Sequence, residues 1–208
     1  MNNDTNYWIE MSNFPESYSL LFREEERLLD KYIGDHANVL DLGCGDGRSL
    51  KQLSQKTKNL VGVDHDKKIV KKANRDLPNI KIIYSEGTSL PFDDGYFDNV
   101  LCLGTFTNLG DERIKVLSEM KRVLDRNGSI IITAYSEDAL EDRLKLYGSS
   151  NVEIEEIKPN GTVLFRDSVD SISEQFSRSE LETIISKAGL KIMELNKAGI
   201  VYSGVLGK

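Results

Sequence analysis

Between residues 38 and 136, short and almost continuously apolar runs alternate with segments of helical period. The runs are "NVLDL" (38–42), "NLVGVD" (59–64), "IKIIYS" (80–85), "FDNVLCLG" (97–104) and "GSIIITAYS" (128–136). A strand that is apolar at nearly every position is buried on both faces. Buried strands separated by helices are the pattern of a parallel sheet held between two helical layers. The intervening segments fit: helices are expected over 47–56, over 67–76 with a stop before Pro78, and over 111–124, where Ile114, Leu117, Met120, Lys121 and Leu124 recur at helical spacing. Another helix, at about 16–33, precedes the first run. Its apolar stripe is Leu21, Leu28, Leu29, Tyr32 and Ile33, and the charged run "REEER" is assigned to its other face.

The order changes after about residue 137. A short helix (137–147) leads into "NVEIEEIKPNGTVLF", two β-prone runs around a Pro-Asn-Gly turn, which is expected to be a hairpin. A helix follows in "SRSELETIISKAG", capped by Ser177 or Ser179 and ended by Gly189. Two closing strands, 190–195 and 199–206, have too short a connection for a crossover helix and are expected to be antiparallel. The expectation is therefore an α/β fold: seven strands, mostly parallel, the last antiparallel, with helices on both faces. All 208 residues belong to one expected domain, with residues 1–36 as an N-terminal helical cap and about 148–176 as an inserted hairpin or lid.

Charge narrows the function classes. With 34 acidic against 27 basic residues the net charge is -7, which repels phosphate backbones. The one basic cluster, "KKIVKKANR" (67–75), reads as the solvated face of a helix, so no nucleic-acid partner is expected. Cys44 and Cys102 lack paired spacing and read as reduced thiols; His36 and His65 are isolated, so no metal site is expected. No apolar run approaches the roughly 18 residues of a membrane span, and "MNNDTNYWIE" lacks a signal-peptide core. A cytoplasmic location is the default expectation.

The stretch that carries chemistry is "VLDLGCGDGRSL" (39–50), where Gly43, Gly45 and Gly47 follow the first strand. In open α/β sheets, ligands sit beyond the carboxyl ends of the strands. Glycines there let a ligand approach the backbone closely, and the first N–H groups of the next helix face the same crevice. Asp64 ends the second strand, 21 residues after Gly43, where a carboxylate can take both hydroxyls of a ribose. Dinucleotide folds use G-x-G-x-x-G, with a pyrophosphate on the helix N-terminus. Here the spacing is D-x-G-x-G-x-G, with Asp41 and Asp46 beside the loop. Two carboxylates suit a ligand with an ammonium group and no phosphates.

This stretch resembles motif I of the class I S-adenosylmethionine-dependent methyltransferases. "VGVDHD" looks like the family's acidic second-strand end, "SEGTSLPFDDGYFDNVLCLGTFTNL" is similar to the "GDAxxLPFxDxSFDxV" stretch of its small-molecule, type 11 branch, and "EMKRVLDRNGSIIIT" resembles "ExxRVLKPGGxLxI". "QFSRSELETIISKAGLKIMEL" resembles its late helix and sixth strand, so the likeness covers about 37–207. It implies a Rossmann-like fold, S-adenosyl-L-methionine as cofactor and S-adenosyl-L-homocysteine as product. It further implies that Asp41 and the Gly43, Cys44 and Gly45 loop face the methionine part. Asp64 would hold the ribose, His65 would pack near the adenine, Glu86 would accept from the adenine amino group, Gly87 would offer its N–H to the ring, and Leu103 would pass beneath the methionine. The sequence departs from the pattern at Glu86, where the family has Asp, and at "DRNG", which replaces Pro-Gly-Gly in a structural turn.

Methyl transfer from a sulfonium is an in-line displacement that needs mainly alignment. The expected acceptor is a small molecule; the alternatives are an RNA or protein acceptor, or a noncatalytic regulator that binds the cofactor. A nicotinamide oxidoreductase is disfavoured by the glycine spacing. Acceptor contacts are expected from the N-terminal helix, the loop after the fourth strand and the insertion, with Tyr18, Arg23, Thr105, Phe106, Asn108, Tyr135, Arg166 and Glu174 as candidates and no catalytic residue assigned. The insertion is expected to close over the sheet edge as a lid without needing to touch the adenosine.

Overall fold

A computed structural model describes residues 14–150, 152–166 and 170–208. The first thirteen residues of the expected cap, and residues 151 and 167–169 of the expected insertion, lie outside the described residues.

The five apolar runs form strands β1 (Val39–Leu42), β2 (Leu60–Asp64), β3 (Lys81–Tyr84), β4 (Phe97–Cys102) and β5 (Leu124–Tyr135). Helix α1 (Ser19–Tyr32) precedes them, and α2 (Arg48–Leu53), α3 (Lys67–Asp76) and α4 (Arg113–Val123) lie between them. The chain continues through α5 (Leu140–Gly148), three short strands β6 (Ile154–Ile157), β7 (Val163–Phe165) and β8 (Ile172–Ser173), then α6 (Arg178–Lys187), β9 (Lys191–Ala198) and β10 (Val201–Gly207). The main sheet has seven strands in the order β3-β2-β1-β4-β5-β10-β9. β1 to β5 pair in parallel, and β10 runs antiparallel to both β5 and β9. The closing pair is thus antiparallel as expected, but β10 inserts beside β5 and leaves β9 at the edge.

The alternation of side chains along each strand divides the core. Leu40, Val100, Ile130 and Ile132 face α4 and α6, where they meet Leu117, Met120, Leu181 and Ile185. Val39, Leu60, Leu101, Ile131 and Val205 face the other way and meet Leu28, Leu29, Leu50 and Ala73 of α1, α2 and α3. β5 begins earlier than expected. "DRNG" lies inside it, with a register irregularity opposite Phe97–Asn99, and a Cβ on Gly128 would lie 2.5 Å from the Asp98 carbonyl. Helix α6 resolves its cap to Ser177, which forms a reciprocal box with Glu180.

The insertion has one strand more than expected. The hairpin β6–β7 turns at Gly161 (φ 81°), with Lys158 N donating to Thr162 O at 2.8 Å, and β8 adds antiparallel to β7. A third cluster joins this small sheet to the rest: Tyr18, Leu21, Ala139, Tyr147, Val163 and Phe165 pack together. The carboxyl ends of β1 to β5, the start of α1 and the insertion therefore meet along one edge.

Candidate functional site

Strand β1 is buried along its whole length and runs into a loop in which Gly43 (φ 72°), Gly45 (φ 55°) and Gly47 (φ 87°) all have left-handed backbone. Gly43 is required twice over. Its φ is strained for any L side chain, and a Cβ would lie 2.2 Å from Thr105 Oγ1. The loop is stitched to β2. Gly43 N and Cys44 N donate to Val63 O at 2.8 and 3.1 Å, and Gly45 N donates to Asp64 Oδ2 at 2.9 Å. Asp64 Oδ1 accepts from Asp66 N at 2.9 Å. The buried Asp64 carboxylate is thereby fixed in plane, and each oxygen keeps a second acceptor direction.

Two cavities open on this edge and share Gly43. The first, about 440 Å³, contains Asp41, Gly43, Cys44, Gly45 and Leu103 of the expected set. The second, about 330 Å³, contains Gly43, Asp64, His65, Glu86 and Gly87. The nine residues singled out in the sequence are thus brought together around one loop.

The first cavity also holds groups the sequence reading missed. Glu25 of α1 was assigned with "REEER" to the solvent face, but it is buried at 1% exposure. It accepts from Arg48 at 2.5 Å and from Thr133 Oγ1 at 3.1 Å, and Thr133 Oγ1 in turn accepts from Gly104 N at 2.8 Å. Arg48 also lies over the Phe22 ring at 4.9 Å. Asp41 accepts from Ser49 Oγ. Burial drives the Asp41 carboxyl up to about 6; Glu25 and Asp64 nearby push the same way, while Ser49 and Arg48 oppose. Burial raises Glu25 as well, against Arg48 and Thr133. The cavity therefore presents two buried carboxyl groups, Asp41 and Glu25, with the Arg48 guanidinium beside them, a set complementary to the ammonium and carboxylate of an amino acid.

The wall opposite the loop is aromatic. Phe14, Tyr18, Phe22 and Tyr135 line it, and the Tyr18 and Tyr135 hydroxyls meet at 3.3 Å. Burial raises both phenols, so they serve as hydrogen-bond donors and not as bases. The Cys44 thiol is likewise raised by burial, which keeps it from acting as a thiolate nucleophile.

Of the candidate acceptor residues, Tyr18 and Tyr135 line the first cavity, and Thr105 and Asn108 line the second. Phe106 is a core residue packed edge-on against Phe176. Glu174 pairs with Arg113, Arg166 pairs with Glu153, and Arg23 is exposed and lines neither cavity. The insertion reaches the second cavity through Asp170.

Residues 40–132 match the methyltransferase domain family. The chain is 30% identical to the putative methyltransferase YrhH of Bacillus subtilis, over 58% of this chain and 70% of that protein. It is 35% identical to a demethylmenaquinone methyltransferase of Thermotoga maritima, over 45% of this chain and 42% of that one. Against several curated relatives the match spans 41 to 64% of their own length. Among solved structures, the PH0226 protein of Pyrococcus horikoshii superposes with a TM-score of 0.72 at 24% identity, covering 97% of each chain.

Proposed function

The chain belongs to the class I S-adenosylmethionine-dependent methyltransferases, type 11 branch, and from that premise we propose that it methylates a small-molecule acceptor. The family's cofactor is S-adenosylmethionine. The observation that carries the reading is the pair of cavities joined at Gly43, with the Asp64 carboxylate held in plane by Gly45 N and Asp66 N. The donor set fits the cofactor. Asp64 has free acceptor directions for ribose hydroxyls, and Glu86 and Gly87, in the same cavity, would offer an acceptor and a donor to an adenine edge. Asp41 and Glu25 supply negative charge for the ammonium, with Arg48 beside them for the carboxylate. Gly43, Cys44 and Gly45 form a cradle along the methionine, with Leu103 on its other side. His65 offers its ring to the adenine.

When bound, the cofactor supplies a sulfonium-activated methyl group. The protein's part is alignment and exclusion of water. Phe14, Tyr18, Phe22 and Tyr135 form a dry wall beside the loop, and the two phenols offer a hydrogen bond that orients an acceptor. Neither phenol is a base, and no catalytic base is assigned. The insertion serves as the lid over this edge.

A small acceptor is supported by the aromatic side chains Phe14, Tyr18, Phe22 and Tyr135 beside the loop, apolar lining of the kind found in small-molecule sites. The net charge of -7 disfavours RNA, and the relative from T. maritima is named for a quinone acceptor. The test is transfer of labelled methyl from S-adenosylmethionine to a panel of quinols, phenols and amines, beside RNA and protein extracts. Label entering a small molecule supports the reading; label entering only RNA or protein refutes the small acceptor.

A further inference from the structure

The second cavity contains a carboxylate that does not come from the parallel sheet. Asp170 sits just before β8 in the insertion, and its side chain is 10% exposed. Its Oδ1 lies 3.5 Å from His65 Nε2, and the Asn108 side chain hydrogen-bonds it. The placement is built. Thr107 Oγ1 donates to Asn108 Oδ1 at 3.0 Å, which leaves the Asn108 amide N–H groups for Asp170. Glu174 N donates to Thr107 O at 2.9 Å, tying the strand after Asp170 to the turn that carries Asn108. Gly110, on the same turn, sits against Ile172.

Asp170 thus occupies a nearly dry position with incomplete compensation. Its imidazole contact is long, and Asp64 and Asp66 bear on it with like charge. A buried carboxylate in that condition gains from any further donor brought into the cavity. The adenosine moiety carries such donors on its ribose hydroxyls and its amino group. We propose that Asp170 is a further cofactor-binding residue, which accepts a hydrogen bond from the adenosine moiety across the cavity from Asp64. The inference rests on the cofactor reading above and extends it: the insertion is part of the cofactor site as well as a wall for the acceptor.

The test compares S-adenosylhomocysteine with 5′-methylthioadenosine, which keeps the adenosine and lacks the amino acid. Calorimetry on the wild type, Asp170→Ala and Asp170→Asn reads both ligands. Asp170→Ala should weaken both by a similar factor, roughly tenfold or more, as for loss of a charge-assisted hydrogen bond. Asp170→Asn, which keeps an acceptor oxygen, should fall between. The melting temperature of the free protein should change little, since removing a desolvated carboxylate that lacks full compensation gives back about as much as its contacts to His65 and Asn108 contribute. Wild-type affinity for both ligands in Asp170→Ala would overturn the proposal, as would a loss confined to S-adenosylhomocysteine, which would place Asp170 at the amino-acid end. Failure of the wild type to bind either ligand would instead remove the cofactor reading itself.

Discussion

At Asp41, burial and ligand chemistry pull in opposite directions. The carboxyl is raised to about 6, first by desolvation and then by Glu25 and Asp64. A carboxyl raised above its unfolded value, near 3.9, binds more protons in the folded state across the interval between the two. Its contribution to stability is full below about pH 4 and is lost as pH rises through about 6, and Glu25, also raised, acts in the same sense. A ligand with an ammonium group prefers the ionised form. The affinity for S-adenosylhomocysteine should therefore rise between pH 5 and pH 7, by roughly tenfold, as the ionised fraction of a group titrating near 6 grows. Asp41→Asn should flatten the profile, and a flat wild-type profile would remove Asp41 from the ammonium site. The residues at strand ends were legible because an apolar run followed by glycine marks its own carboxyl end. Glu25 was hidden by its acidic neighbours, although it lies four residues after Leu21 and three before Leu28, on the same helical stripe. Asp170 has no local signature: only tertiary folding brings it to His65.

Among the elements, the insertion is joined to the rest by its apolar cluster and by one buried cation. Arg143 of α5 is fully buried, and its five N–H donors are all used. Nε donates to the Tyr147 hydroxyl at 3.3 Å. One terminal nitrogen donates to Gly161 O (2.9 Å) and Gln175 Oε1 (3.0 Å), the other to Ser173 O (2.6 Å) and Ser173 Oγ (2.9 Å). The guanidinium also lies over the Tyr135 ring, at 5.1 Å, so it links the small sheet to the wall of the first cavity. Arg143→Met keeps much of the volume and orphans the Gly161 and Ser173 carbonyls. The cost should be roughly 3 kcal/mol, which for a chain of this size lowers the melting temperature by about 6 to 12 °C. An unchanged melting temperature would show that the insertion is held by its apolar contacts alone. The hairpin was readable from Pro159, Asn160 and Gly161, whereas β8, only two residues long, is too short to carry a period.

For the whole molecule, the order of buried runs was enough to read a parallel sheet, because most runs are apolar on both faces and every gap but that between β3 and β4 holds a helix. The lateral order of strands was not readable, since pairing of β10 with β5 is decided by long-range packing against α1 and α6 that no local pattern records. The consequence for function is that one edge gathers five strand ends, the loop at Gly43, the buried Glu25 and the insertion. The most direct measurement on that edge is a calorimetric titration of the intact chain with S-adenosylhomocysteine and, separately, with NADH. Saturable binding of S-adenosylhomocysteine, weakened roughly tenfold or more by Asp64→Ala, with no heat from NADH, is the predicted result. Binding of NADH with none of S-adenosylhomocysteine would contradict it.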